Sequence, residues 1–111
     1  MITLHYLQCS RSFRILWALE ELGMDYQVEY YQRLPSYAAP ESLKQIHPLG
    51  KAPILVDDEN VIVESAVILD YLQQQYDVKQ QFKPQQFKDQ LQYSYWMHYA
   101  EGSLMPLLVM T

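Results

Sequence analysis

Three short stretches carry side chains whose types and spacing could do chemistry. The first is QCSRS, residues 8–12, which places one thiol, two hydroxyls and a guanidinium within five positions. It falls where a strand gives way to a helix, and the free amides at a helix N-terminus stabilise a negative charge, a thiolate included. Ser10 could donate a hydrogen bond to a sulfur held there, and Arg11 adds positive charge. Ser12 could equally be a helix cap, and Arg11 a solvated surface charge. The second stretch is KAP, Lys51 to Pro53, immediately ahead of an apolar strand. A trans proline opening an edge strand is the commoner local outcome. A cis Ala52–Pro53 bond would instead turn the chain and leave the Ala52 N–H and C=O facing outward. An extended, peptide-like ligand could pair with them as one more short strand. The third stretch is Glu64-Ser65. A serine hydroxyl and free amides at the start of a helix suit a carboxylate, and the neighbouring Glu64 suits an ammonium group. Taken alone, that pair is more often an ordinary capped helix. Together the three stretches fit one ligand with an amino-acid end, a peptide middle and a sulfur.

The elements that must hold these residues follow from the hydrophobic pattern. Ile2 to Leu7 alternates and is rich in strand formers. Phe13 to Leu22 carries helix formers, with Ile15, Leu19 and Leu22 on one stripe and Phe13, Leu16 and Trp17 beside it, an arc wide enough to predict packing on a sheet. Gly23 stands where a helix takes a left-handed residue after its last turn. Tyr26 to Tyr31 reads as a second strand, parallel to the first because the helix intervenes. Pro40 opens a short helix that ends by His47, since Pro48 disfavours helical geometry there. Ile54 to Val56 and Val61 to Val63 flank the turn Asp57-Asp58-Glu59-Asn60 and predict an antiparallel hairpin. Ser65 caps a helix running to about Tyr76, with Ile68, Leu69 and Leu72 inward. The order βαβ-α-ββα is an α/β arrangement, a thioredoxin-like four-stranded mixed sheet. Residues 1–77 are expected to form this domain, the polar residues 78–86 a linker, and residues 87–111 the first helix of an all-α domain.

Composition excludes several classes. The 111 residues are half apolar, enough for one modest core. A formal net charge of -5 argues against nucleic acid, whose phosphates need a basic face. No window reaches the roughly 20 apolar residues that span a bilayer. The start of the chain lacks the pattern of a signal peptide, and a single cysteine permits no intrachain disulfide, so a reduced, cytoplasmic setting is expected. His5, His47 and His98 show no metal-ligand spacing.

The segments SRSFRILWALEELG (10–23), HPLGKAPIL (47–55) and ESAVILDYL (64–72) resemble, in order and spacing, the N-terminal domain of cytosolic glutathione S-transferases, in a bacterial or fungal form. Glutathione has the ligand layout inferred above and would be the co-substrate. The resemblance implies that Pro53 is the family's cis-proline and that the Ala52 backbone pairs with the cysteinyl part of glutathione. It implies that Glu64 and Ser65 hold the γ-glutamyl end and that Lys51 lies near the glycyl carboxylate. Ser10 is the favoured thiol-activating residue, with Tyr6 at the end of the first strand a substitute. The implied reaction is attack of the glutathione thiolate on an electrophilic carbon or a peroxide.

Two alternatives stay open. Cys9 and Ser12 form a C-x-x-S spacing at a helix N-terminus, which would suit a thiol transferase in which Cys9 itself forms a mixed disulfide with glutathione. Members of the family are usually about twice this length, so the chain is either a truncated product or a piece of a longer one, and a non-catalytic glutathione- or partner-binding module is also consistent. Tyr95, Trp96, Tyr99, Leu104, Leu107 and Leu108 are expected to be exposed without further chain, which predicts a homodimer or higher oligomer.

Overall fold

The computed structural model describes residues 1–78 and 84–110, the side chains of residues 109 and 110 excepted. Two compact units result, Met1–Tyr71 and Leu72–Thr111. In the first, β1 (Ile2–Leu7), α1 (Ser12–Glu21) and β2 (Tyr26–Tyr31) form the parallel unit expected from the short links, with Ile2 opposite Tyr26 and Leu7 opposite Tyr31. A short α2 (Leu43–Ile46) precedes β3 (Ile54–Asp57) and β4 (Asn60–Val63), which pair antiparallel, and α3 starts at Ser65 and runs to Tyr76. The sheet order is β2-β1-β3-β4, with β1 and β3 also antiparallel. It is the mixed four-stranded sheet predicted from the element order.

Local chemistry explains the boundaries. The α1 helix ends in a Schellman motif: Gly23, at φ +66°, donates to the Glu20 carbonyl at 3.0 Å, and Met24 donates to Leu19 at 3.2 Å. The α2 helix begins at Leu43, later than Pro40 alone suggested, because residues 40–42 form i→i+3 turns first: Leu43 N–H reaches the Pro40 carbonyl at 3.2 Å. The α1 face divides more sharply than its sequence implied. Ile15 and Leu19 are fully buried, whereas Phe13 and Trp17 stay exposed, their rings tilted against each other with centroids 6.3 Å apart. Leu4, Leu43, Ile54, Leu55 and Ile68 are also fully buried, and Leu7, Leu43 and Ile54 form one cluster beneath the loop that leads to Pro53.

In the second unit, α4 (Phe87–Tyr99) passes through a π-helical turn (Ala100–Leu104) into α5 (Met105–Met110). Tyr95 and Tyr99 stack, Trp96 meets both edge-on, and with Leu104, Leu107 and Leu108 these three are exposed, as the sequence predicted. Most of the expected linker, residues 79–83 of 78–86, lies outside the described residues. No helix among the described residues is long and apolar enough to cross a membrane.

Candidate functional site

The loop between α2 and β3 is built by a histidine-capped turn. His47 is extended (φ -148°, ψ 137°), the conformation favoured before proline, and its Nδ1 accepts the Leu49 N–H at 3.2 Å. Gly50 donates to the His47 carbonyl at 2.9 Å and takes φ +62°, a value that costs glycine nothing. The chain then reaches Lys51, Ala52 and a cis Ala52–Pro53 bond, the isomer implied by the family resemblance. Ala52 lies outside the β3 ladder, and its backbone makes no hydrogen bond among the described residues.

Facing this loop is the junction of β4 and α3. Here the structure revises the sequence reading. Ser65 is the first helical residue rather than the cap. Glu64 holds the cap position, since its carbonyl accepts the Ile68 N–H at 2.9 Å. Glu64 does so at φ +74°, in the left-handed region where a side chain with a Cβ is strained. Ser65 is buried, whereas the Glu64 carboxylate is exposed. Between the two segments lies a cleft of about 210 Å³ lined by Arg11, Leu49, Lys51, Ala52, Pro53, Val63, Glu64 and Ser65. The five residues expected to bind the ligand are thus brought together from two segments. Arg11 joins them from the start of α1, an arrangement its position at a helix N-terminus hinted at but did not decide.

The turn between β1 and α1 places the remaining candidates. Ser10 Oγ lies 2.6 Å from the Leu7 carbonyl and 2.7 Å from Ser12 Oγ. A hydroxyl carries one proton and a carbonyl only accepts. Ser10 therefore donates to Leu7, and the Ser12 hydroxyl donates to Ser10. Ser10 Oγ also accepts the Ser12 N–H at 3.1 Å, and Ser12 Oγ accepts the Leu7 N–H at 3.2 Å. The loop closes on itself through two serines, one of them fully buried. Cys9 is exposed and sits at φ +52°. A hydrogen bond with Cys9 raises the Tyr37 hydroxyl above its usual pKa, with the Arg33 charge opposing. Tyr6 is stacked on Tyr30, centroids 5.7 Å apart, on the β1–β2 surface. Arg33 and Tyr37, which the sequence reading passed over, border this turn. Among the described residues no group of three His, Cys, Asp or Glu is placed to hold a metal ion.

The profile of the glutathione S-transferase N-terminal domain matches residues 1–74, which include the cleft and the serine loop. The chain belongs to the glutathione S-transferase family. It is 44% identical over 110 residues to glutathione S-transferase 3 of Schizosaccharomyces pombe, covering 97% of this chain and 44% of the relative. A crystal structure of a glutathione S-transferase from Actinobacillus pleuropneumoniae superposes with a TM-score of 0.83 at 48% identity, over 86% of this chain and 46% of that one. A theta-class glutathione S-transferase from Xanthomonas axonopodis, solved with glutathione bound, superposes with a TM-score of 0.73 at 26% identity, over 92% of this chain and 49% of that one. This glutathione S-transferase family chain therefore spans about half the length of the relatives it matches.

Proposed function

We propose that the chain binds glutathione in the Ala52–Glu64 cleft and lowers the pKa of its thiol for attack on an electrophilic carbon or a peroxide. The observation that carries this reading is the meeting of an Ala52 backbone unpaired among the described residues, the Glu64 carboxylate, buried Ser65 at the start of α3, Lys51 and Arg11 around one cleft. A peptide with a zwitterionic end fits that set. Its ammonium pairs with Glu64, its α-carboxylate meets the Ser65 hydroxyl and the first amides of α3, and its middle pairs with Ala52 as a short strand. Lys51 is placed for the glycyl carboxylate. The glutathione found in the Xanthomonas relative supports the same ligand here.

Ser10 is the proposed donor to the sulfur. To act, its proton must leave the Leu7 carbonyl, giving up a neutral hydrogen bond worth about 1 kcal/mol net. A hydrogen bond to a thiolate is worth about 1.5–3 kcal/mol, so the exchange is favourable. The Ser12 hydroxyl and N–H stay on the Ser10 oxygen and polarise it as a donor. The α1 dipole and Arg11 favour the same charge. The thiol proton leaves to solvent; the thiolate sulfur then forms the new bond as the leaving group departs with its electron pair.

The domain boundaries proposed are 1–77 for the glutathione domain, 78–86 for the link and 87–111 for the opening of a helical domain. The setting is cytoplasmic, and the exposed aromatic surface of α4 favours a homodimer or higher oligomer. Titration calorimetry with glutathione tests the cleft: binding in the micromolar to millimolar range supports it, and no heat at millimolar glutathione removes it. A turnover assay run beside it separates an enzyme from a binding module. A second reading, a thiol transferase acting through Cys9, is favoured by the exposure of that thiol in the turn just before α1. Cys9→Ser discriminates: lost deglutathionylation with intact binding supports it, and retained activity ends it.

A further inference from the structure

Arg33 stands 24 residues from Cys9 in sequence, yet its side chain is built around the β1–α1 turn. Its Nε donates to the Gln8 carbonyl at 3.0 Å, Nη2 to the Cys9 carbonyl at 3.1 Å, and Nη1 to the Tyr37 carbonyl at 2.9 Å. The guanidinium also lies over the Tyr37 ring, 4.7 Å from its centroid. Tyr37, at φ +70°, is held in turn by its N–H on the Leu34 carbonyl at 2.7 Å, and Leu34 N–H reaches Ala38 at 2.9 Å. The Gln8 side chain returns a contact, accepting the Arg33 N–H at 3.4 Å. One planar cation thus satisfies two successive carbonyls of the turn that presents Ser10, including that of the left-handed Cys9. The serine loop fixes the turn from inside, and Arg33 fixes it from outside. Three N–H groups in one plane are what a guanidinium supplies and an ammonium does not.

We propose that Arg33 is a positioning residue for the thiol end of the cleft: its fork on Gln8, Cys9 and Tyr37 sets the β1–α1 turn and so the aim of the Ser10 hydroxyl at the bound sulfur. This rests on the reading of the cleft as a glutathione site. The ligand's amino-acid end is held elsewhere, at Glu64 and Ser65, so Arg33 governs the ionisation of the thiol more than the affinity for the peptide.

The test compares the whole chain with its Arg33→Lys and Arg33→Ala variants. Thiolate absorbance of bound glutathione is followed against pH, glutathione affinity by calorimetry, and amide exchange over residues 8–12 by mass spectrometry. Loss of one aligned donor is expected to move the thiol midpoint up by about one pH unit in both variants, with affinity for glutathione changed less than about threefold at a pH below both midpoints. Exchange over 8–12 is expected to speed up at least about tenfold in both. Recovery of the wild-type midpoint in Arg33→Lys would show that charge alone matters and overturn the proposal. So would an unmoved midpoint in Arg33→Ala, or an affinity that falls by the same factor as any change in the thiol. Should the unsubstituted chain bind no glutathione, the cleft reading itself fails, whatever the exchange rates; a bound ligand with an unmoved midpoint fails only Arg33.

Discussion

Replacing Glu64 by glycine should strengthen the fold while weakening the ligand site. The Glu64 backbone is held at φ +74° and its side chain is exposed, so the carboxylate contributes little to folding and the backbone carries strain. A left-handed residue with a Cβ costs about 1–2 kcal/mol. Glycine removes that cost but loses about 0.5–1 kcal/mol more chain entropy on folding. The net expectation for Glu64→Gly is roughly 0 to 1.5 kcal/mol of added stability, a Tm unchanged or several degrees higher for a domain of this size. Glutathione loses its ammonium partner, a charged hydrogen bond worth about 1.5–3 kcal/mol, so its Kd should rise from ~10- to ~150-fold. Glu64→Ala is the control: the same loss of affinity with the strain kept. Thermal unfolding and calorimetry on the three proteins decide the matter. A Glu64→Gly protein less stable than Glu64→Ala would refute the strain argument, and an unchanged Kd in both variants would take Glu64 out of the ligand site.

Three other outcomes follow from the same geometry. Ser10→Ala should raise the pKa of bound glutathione thiol in a spectroscopic titration and cost about 1 kcal/mol of stability, because the Ser12 N–H loses its acceptor; an unmoved titration removes Ser10 as activator. Leu43→Ala, at a fully buried position packed with Leu7 and Ile54, should cost about 2–5 kcal/mol in urea unfolding; a loss under 1 kcal/mol, about what a surface change costs, would mean Leu43 is not a core residue. Burial lowers the His5 pKa from its ordinary 6.5, with Glu29 opposing, and its Nδ1 lies 2.8 Å from the Tyr31 hydroxyl. The folded state therefore disfavours the protonated ring: His5 contributes its stability above the unfolded value of 6.5 and loses it as pH falls toward the folded one. Urea midpoints at pH 7.5 and 5.5 should differ more for the natural chain than for His5→Asn, and equal differences would reject the assignment.

The strands, the helices and their order are properties of the sequence alone. Alternation in residues 2–7, the helical stripe of Ile15 and Leu19 ending at Gly23, and the acidic turn between two apolar strands are local signals, each decided within a few residues. Ser65 at the start of α3 was legible for the same reason. The cap was not, because nothing local distinguishes a serine in the cap position from one in the first helical turn. What only the tertiary structure decided are relations across distance. Arg33 reaches the Cys9 turn because β2 lies parallel beside β1, and no periodicity marks a side chain that bonds carbonyls of another segment. The Ser10 proton rests on Leu7 because the turn closes that way in space. Phe13 and Trp17 are as apolar as Ile15 and Leu19, yet the sheet covers only one side of α1. Burial, unlike helix propensity, is set by what lies opposite.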